Sequence, residues 1–200
     1  MLTKRQYDII LGMIIGDAYI TQPKGEKNAR LRFEHSEKQK DYIHWKWREF
    51  KDWMQDTPKK IARYNPKWKK TYTYYRCQTH SSPIFGKLRR EFYIDNRKII
   101  PENFEKIFKS KLSLAVWFMD DGYYYHRGKI AYIYLSKFSD KEIQKLIQVL
   151  NKNFDLRPKL EIKRLKNINF RFSVSETRKL INIIKGDIIP SMKYKLPFTE

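Results

Sequence analysis

Ile10-Leu11-Gly12-Met13-Ile14-Ile15-Gly16-Asp17-Ala18 is an apolar, helix-like run that stops on Gly-Asp and a small residue. Half a chain later Leu114-Ala115-Val116-Trp117-Phe118-Met119-Asp120-Asp121-Gly122 repeats the design. A helix C-terminus is the negative end of its macrodipole, so a carboxylate there is unfavourable by about 0.3–1 kcal/mol and stability alone favours Lys. Taken singly, either Asp is equally well a solvated turn residue; two matched copies tell against coincidence. Gly12 and Gly16 lie four apart, on one helix face, which lets the first run approach a partner closely. The other motif is the natural partner, and Asp121, not Asp120, holds the position matching Asp17. Two carboxylates crowded at two negative helix ends repel unless a cation shares them. Mg²⁺, or Mn²⁺ in its place, takes oxygen ligands and keeps waters, which suits hydrolysis of a phosphodiester.

The surrounding sequence is duplicated too. After Asp17 come a short strand, a hairpin at Pro23-Lys24-Gly25 and the alternating Leu31-Arg32-Phe33-Glu34-His35-Ser36; after Asp121 come Tyr123-Tyr124-Tyr125, a turn at His126-Arg127-Gly128 and a β-rich run from Lys129 to Ser136. A helix follows each: Gln39 to Met54 in the first half, and from N-cap Ser139, with Glu142 completing a capping box, to about Asn151 in the second. A second hairpin pairs Ile61–Tyr64 with Tyr72–Thr79, and its counterpart pairs Lys159–Leu165 with Asn169–Ser175 around Lys166-Asn167-Ile168. Closing helices are predicted at Pro83–Glu91 and Glu176–Lys185. The fold class is therefore α+β, two pseudo-symmetric αββαββα halves, residues 1–108 and 109–200, each with one motif.

The chain of 200 residues carries 43 Lys+Arg against 22 Asp+Glu, a formal charge of +21, while 16% of it is aromatic. Aromatic surface on this scale supplies a packed core and excludes a disordered polyelectrolyte. The charge implies a dense polyanion as partner, nucleic acid before an anionic membrane. Cys77 is the only cysteine, and the four histidines lack zinc-site spacing. Neither a signal peptide nor a membrane span is legible, so an intracellular protein, cytoplasmic or organellar, is expected. Strand alternation gives each sheet an apolar face and a polar, basic, aromatic one: Tyr72, Tyr74, Arg76 and Gln78 share a side, and Asn169, Arg171 and Ser173 oppose Phe170 and Phe172. A solvated polar face is the bland alternative, which the net charge outweighs. The nucleic-acid contacts expected on hairpins and wet strand faces are Lys24, Lys27, Arg30, Arg32, Lys67, Lys69, Tyr72, Tyr74, Arg76, Arg127, Lys129, Lys163 and Arg171. Lys98, in Lys98-Ile99-Ile100-Pro101, and Lys195, in Lys195-Leu196-Pro197, recur at nearly the motif spacing. A lysine in each half suits stabilisation of charge at a scissile phosphate.

At these residues the sequence resembles the LAGLIDADG homing endonucleases, in their single-chain, two-motif branch; the two motifs and the C-terminal Ile189-Pro190 with Met192-Lys193-Tyr194-Lys195-Leu196-Pro197 carry the likeness. The resemblance implies motif helices packed at a pseudo-twofold and sheets forming a saddle on double-stranded DNA. It also implies a monomer, a long asymmetric target and cleavage leaving short 3′ overhangs. Asp17 and Asp121 would bind the catalytic cations, with the Gly16 and Asp120 carbonyls as backbone ligands and Lys98 and Lys195 as active-site lysines. Glu37 and Ser136, with Glu34 nearby, would border the waters at the scissile phosphates. Glu37 and Ser136 depart from the amides usual there, and Val116 replaces the small residue usual at the helix crossing. The rival readings are an intron RNA maturase, with intron RNA as partner, and a non-cleaving DNA-binding protein on the same fold. A peripheral membrane protein would need an exposed amphipathic Lys-rich helix, and none is evident.

Overall fold

Lys4–Ile15 folds as helix α1 because Thr3 caps it: the Thr3 hydroxyl accepts from the Gln6 N–H at 3.1 Å, and the Gln6 side chain accepts from the Thr3 N–H at 3.0 Å. A computed structural model describes residues 1–135, 138–163 and 167–197. The chain forms two compact units, one of Asp17–Glu91 and one of Met1–Gly16 with Phe92–Glu200.

The first unit contains β1 (Tyr19–Thr21), β2 (Arg30–Ser36), α2 (Lys40–Glu49), β3 (Lys59–Asn65), β4 (Lys70–Gln78) and α3 (Pro83–Phe92). Its antiparallel sheet has the order β1-β2-β4-β3. Along β2 the side chains of Leu31, Phe33 and His35 are buried while Arg32, Glu34 and Ser36 are half-exposed, as the alternation requires. Cross-strand register places Glu34 beside Arg76, Ser36 beside Tyr74 and Arg63 beside Tyr72, so the basic and aromatic residues share one face. Helix α2 is shorter than the expected Gln39–Met54. It stops at Glu49 because fully buried Phe50 turns the chain inward, and a 3₁₀ turn at Lys51–Trp53 follows.

The second unit adds to α1 a small hairpin, β5 (Tyr93–Ile94) with β6 (Arg97–Lys98), then α4 (Phe104–Ile107), α5 (Lys111–Asp121), β7 (Gly122–Tyr125) and β8 (Ile130–Tyr134). There follow α6 (Asp140–Phe154), β9 (Lys159–Lys163), β10 (Asn167–Arg171), α7 (Val174–Ile184) and a 3₁₀ segment at Pro190–Lys195. Its sheet order, β7-β8-β10-β9, repeats that of the first unit. The capping box read at Ser139 and Glu142 is present. The expected strand Asn169–Ser175 is corrected: β10 spans Asn167–Arg171, and Ser173 caps α7 by accepting from the Glu176 N–H at 3.2 Å. Asn169 shares a face with Arg171 but is not wet. Flanked across the sheet by Tyr134 and Glu161, it is 1% exposed, and its side-chain amide has no hydrogen-bond partner among the described residues.

Both motif helices lie in this second unit and pack on each other. Ser113 of α5 donates its hydroxyl to the Asp8 carbonyl of α1 at 2.7 Å, and both Leu11 and Ala115 are fully buried. A Cβ at Gly12 would collide with the Ser113 carbonyl and the Val116 side chain. The larger Val116 is thus accommodated by the missing side chain opposite it. Gly12→Ala gains about 1 kcal/mol of helix propensity, yet its obstacle is backbone, so overpacking of about 1–3 kcal/mol prevails. A thermal melt is expected to show a midpoint lower by a few degrees; an unchanged or higher midpoint would contradict this packing.

Candidate active site and nucleic-acid interface

The ends of α1 and α5 meet at Gly16 and Asp120. A Cβ on Gly16 would run into the Asp120 side chain, so only glycine lets the two helix tips close to this extent. Lys98, on β6, donates its Nζ to the Gly16 carbonyl at 2.8 Å. Lys195, ending the 3₁₀ segment, donates to the carbonyls of Met119 at 2.5 Å and Asp120 at 3.2 Å. The two lysines therefore do the same thing: each holds the carbonyl of the residue immediately before a motif aspartate. Such carbonyls have no partner within their own helix, and an ammonium suits both their lone pairs and the dipole's negative end. Asp121 is the half-buried last residue of α5, with Gly122 opening β7 directly after it.

In the other unit, Asp17 is exposed ahead of β1, its carboxylate 3.8 Å from His35 Nδ1. An open cleft runs from Asp17 past Tyr19, Glu34 and Ser36 to Tyr74 and Arg76. Glu34 takes a bidentate pair from Arg63, at 2.6 and 2.8 Å, and a third bond from Arg76 at 2.9 Å. That hydrogen bonding holds the Arg63 guanidinium above its ordinary pKa. Arg63 also stacks over Tyr74, 5.1 Å from the ring centroid. Arg32 donates to the Gln78 amide oxygen and to the Tyr19 hydroxyl. Glu37, on the 3₁₀ turn after β2, pairs with Lys60 at 3.0 Å, and this raises the Lys60 pKa. Cys77 lies on the opposite, apolar face, where burial pushes its thiol up to about 12.

The residues read as nucleic-acid contacts lie in turns and on strands. Lys24 and Lys27 are exposed between β1 and β2, Arg30 is exposed as β2 begins, and Lys67 and Lys69 are exposed in the β3–β4 turn, with Lys69 left-handed at φ 46°. Tyr72 is exposed and Tyr74 half-buried on β4. Arg127 and Lys129 are exposed in the β7–β8 turn, and Arg171 is half-buried, 3.9 Å from Glu161. Lys163 ends β9, its side chain outside the described residues, as is the whole of Ser136. Sequence reading did not single out Arg63, which the β3–β4 register sets opposite Tyr72. It also passed over Tyr123, Tyr125 and Tyr134, exposed aromatics whose alternation with buried Tyr124 and Ile133 was a usable signal.

Two like-ordered sheets, each entered from the end of a motif helix, define the homing-endonuclease fold. The model of the LAGLIDADG DNA endonuclease family matches residues 7–180, and the chain belongs to that family. It is 33% identical over 202 residues to "Probable intron-encoded endonuclease 1" of Wickerhamomyces canadensis, covering 98% of this chain and 86% of that one. It is 26% identical over 201 residues to "Cytochrome b mRNA maturase bI2" of Debaryomyces hansenii, covering 98% of this chain and 74% of that one. The solved structure of the homing endonuclease I-WcaI bound to its DNA recognition sequence superposes with a TM-score of 0.91 at 29% identity, across 100% of this chain and 89% of that one. Among the described residues, no helix is long and apolar enough to cross a membrane.

Proposed function

We propose that the protein is a monomeric, divalent-metal-dependent endonuclease that cuts both strands of a long, asymmetric double-stranded DNA site, leaves short 3′ overhangs, and serves intron homing. The observation that carries this reading is the matched pair of lysines, Lys98 on the Gly16 carbonyl and Lys195 on the Asp120 carbonyl, each one residue from a motif aspartate. In this reading each sequence half, 1–108 and 109–200, addresses one half-site, and the differences between the halves give the target its asymmetry.

The donor set fits a hard cation: the Asp17 and Asp121 carboxylates and the Gly16 and Asp120 carbonyls are all oxygen. Mg²⁺ or Mn²⁺, when bound, supplies Lewis acidity toward a phosphate oxygen and water. The chain's own residues do the rest. Lys98 and Lys195 hold the helix tips and set positive charge beside the phosphate as negative charge builds on its oxygens. A water oxygen bonds to phosphorus and releases a proton to solvent, the bond from phosphorus to the departing sugar oxygen breaks, and that oxygen takes up a proton from solvent. Glu37 borders the attacking water, and Ser136 is assigned the same part in the other half. Glu34, with both oxygens committed to arginines, aims Arg63 and Arg76 at phosphates. Exposed lysines and arginines of both sheets bind the backbone, and sheet-face side chains read base edges in the major groove.

Purified protein with Mg²⁺ and DNA spanning the uninterrupted host-gene sequence is expected to yield linear product with 3′ overhangs. The likeness to an mRNA maturase favours a second reading, an intron RNA maturase. Tight binding of intron RNA with no cutting of that DNA would select it over the first.

A further inference from the structure

Lys46 is a lysine with no exposure at all, on the buried side of α2. Burial of an ammonium is costly and needs compensating contacts. Its Nζ lies 2.9 Å from His35 Nε2 and 4.3 Å from the centroid of the Tyr42 ring. An ammonium has only protons to offer, so His35 Nε2 accepts, and in a neutral imidazole the remaining proton must then sit on Nδ1. That atom is the one facing Asp17, at 3.8 Å. From Lys46 through His35, 1% exposed at its side chain, to Asp17 at 42%, the three groups run from the interior to the site.

We propose that Lys46 and His35 are positioning residues that orient the Asp17 carboxylate, Lys46 by fixing His35 as its Nδ1–H tautomer and His35 by presenting that N–H to Asp17. The inference rests on the reading of Asp17 as a cation ligand. It also makes His35 a donor rather than a ligand, because a protonated Nδ1 has no lone pair to give. Carboxylates that bind metals depend on such outer partners for their aim.

The device belongs to one half. Register pairs Tyr19 with Arg32 in the first sheet and Tyr123 with Tyr132 in the second, so three residues further along, His35 corresponds to Leu135. Buried Ile43, Lys46 and Phe50 correspond likewise to buried Ile143, Leu146 and Leu150. Both polar members are leucine on the Asp121 side, and only one of the two cleavage events should depend on them.

The test has two parts. In ¹⁵N-histidine spectra of metal-free protein, His35 should show a protonated Nδ1 and bare Nε2, and Lys46→Leu should abolish that preference. A wild-type Nε2–H tautomer, or one indifferent to Lys46→Leu, overturns the relay. On a supercoiled plasmid carrying the target, with Mg²⁺, the double variant His35→Leu/Lys46→Leu, which installs the other half's own residues, should slow cutting of one strand by about 10–100-fold. Open-circular DNA would accumulate while the other strand is cut at the normal rate. His35→Asn, whose amide nitrogen stands near the Nδ1 position, should retain more of the slow strand's rate than His35→Gln, whose amide reaches toward Nε2. Equal slowing of both strands would mark a merely structural loss and overturn the proposal. Asp17→Asn separates the two levels: normal cutting by that variant defeats the cation-ligand reading, whereas the tautomer spectrum judges the Lys46–His35 link by itself.

Discussion

Asp121→Asn and Asp17→Asn proteins are each expected to bind target DNA with near-native affinity and to lose at least about 10³-fold in double-strand cleavage, a loss on the scale of removing a central electrostatic group. Asparagine keeps the shape and one oxygen of the carboxylate and removes its charge, so what disappears is the means of holding a cation. Binding should survive because it draws on the chain's net charge of +21, of which one carboxylate is a small part. Stability should survive as well. An acidic group at a helix C-terminus is unfavourable by about 0.3–1 kcal/mol, so its neutralisation roughly offsets the weakening of any hydrogen bond the carboxylate accepts. The melting midpoint should accordingly stay within about 2–4 °C of wild type. Filter binding, gel analysis of plasmid products and a thermal melt measure the three quantities on one preparation. Undiminished cleavage by either variant would remove that aspartate from the chemistry; loss of fold would show that it serves stability instead.

Local patterns explain how far the sequence could be read. The motif helices declared themselves through apolar runs, α6 through Ser139 and Glu142, and the sheets through alternation such as Leu31-Arg32-Phe33-Glu34-His35. Each of those signals is written within one turn or one pleat. The hairpin Tyr93–Ile94 with Arg97–Lys98 is too short to carry a period, and it is the element that delivers Lys98. Ser173 reads as a strand residue by alternation and as a cap by chemistry, and the cap prevails because α7 buries Thr177, Leu180 and Ile184 behind it. His35 was legible as a buried strand position, whereas nothing local marks Lys46, since lysine is by default a solvated residue. The recurrence of Lys98 and Lys195 was visible in the sequence. Their partners, 82 and 75 residues away along the chain, were not, because a backbone carbonyl leaves no trace in residue identity.

Those two lysines set the second large effect, in which catalysis and stability fall together. Replacement of Lys195 by Met keeps the aliphatic stem and removes the ammonium, leaving the carbonyls of Met119 and Asp120 without the donor that now reaches them; Lys98→Met does the same to Gly16. Loss of a charged donor to part-buried carbonyls costs about 1–3 kcal/mol. For a chain of this length that lowers the melting midpoint by roughly 2–4 °C per kcal/mol. The cost in rate should be larger, about 10²–10³-fold, because the same ammonium faces the charge that builds on the phosphate in the transition state. Single-turnover cleavage at saturating enzyme separates this from weakened binding, which one lysine among 43 basic residues should change little. Lys195→Arg retains charge and donors on a bulkier, planar head, so it should recover most of the stability and only part of the rate. A methionine variant that melts early yet cuts at the wild-type rate at low temperature would reduce both lysines to helix clamps. One that melts normally and cuts slowly would show that the phosphate, not the helix end, is what they serve.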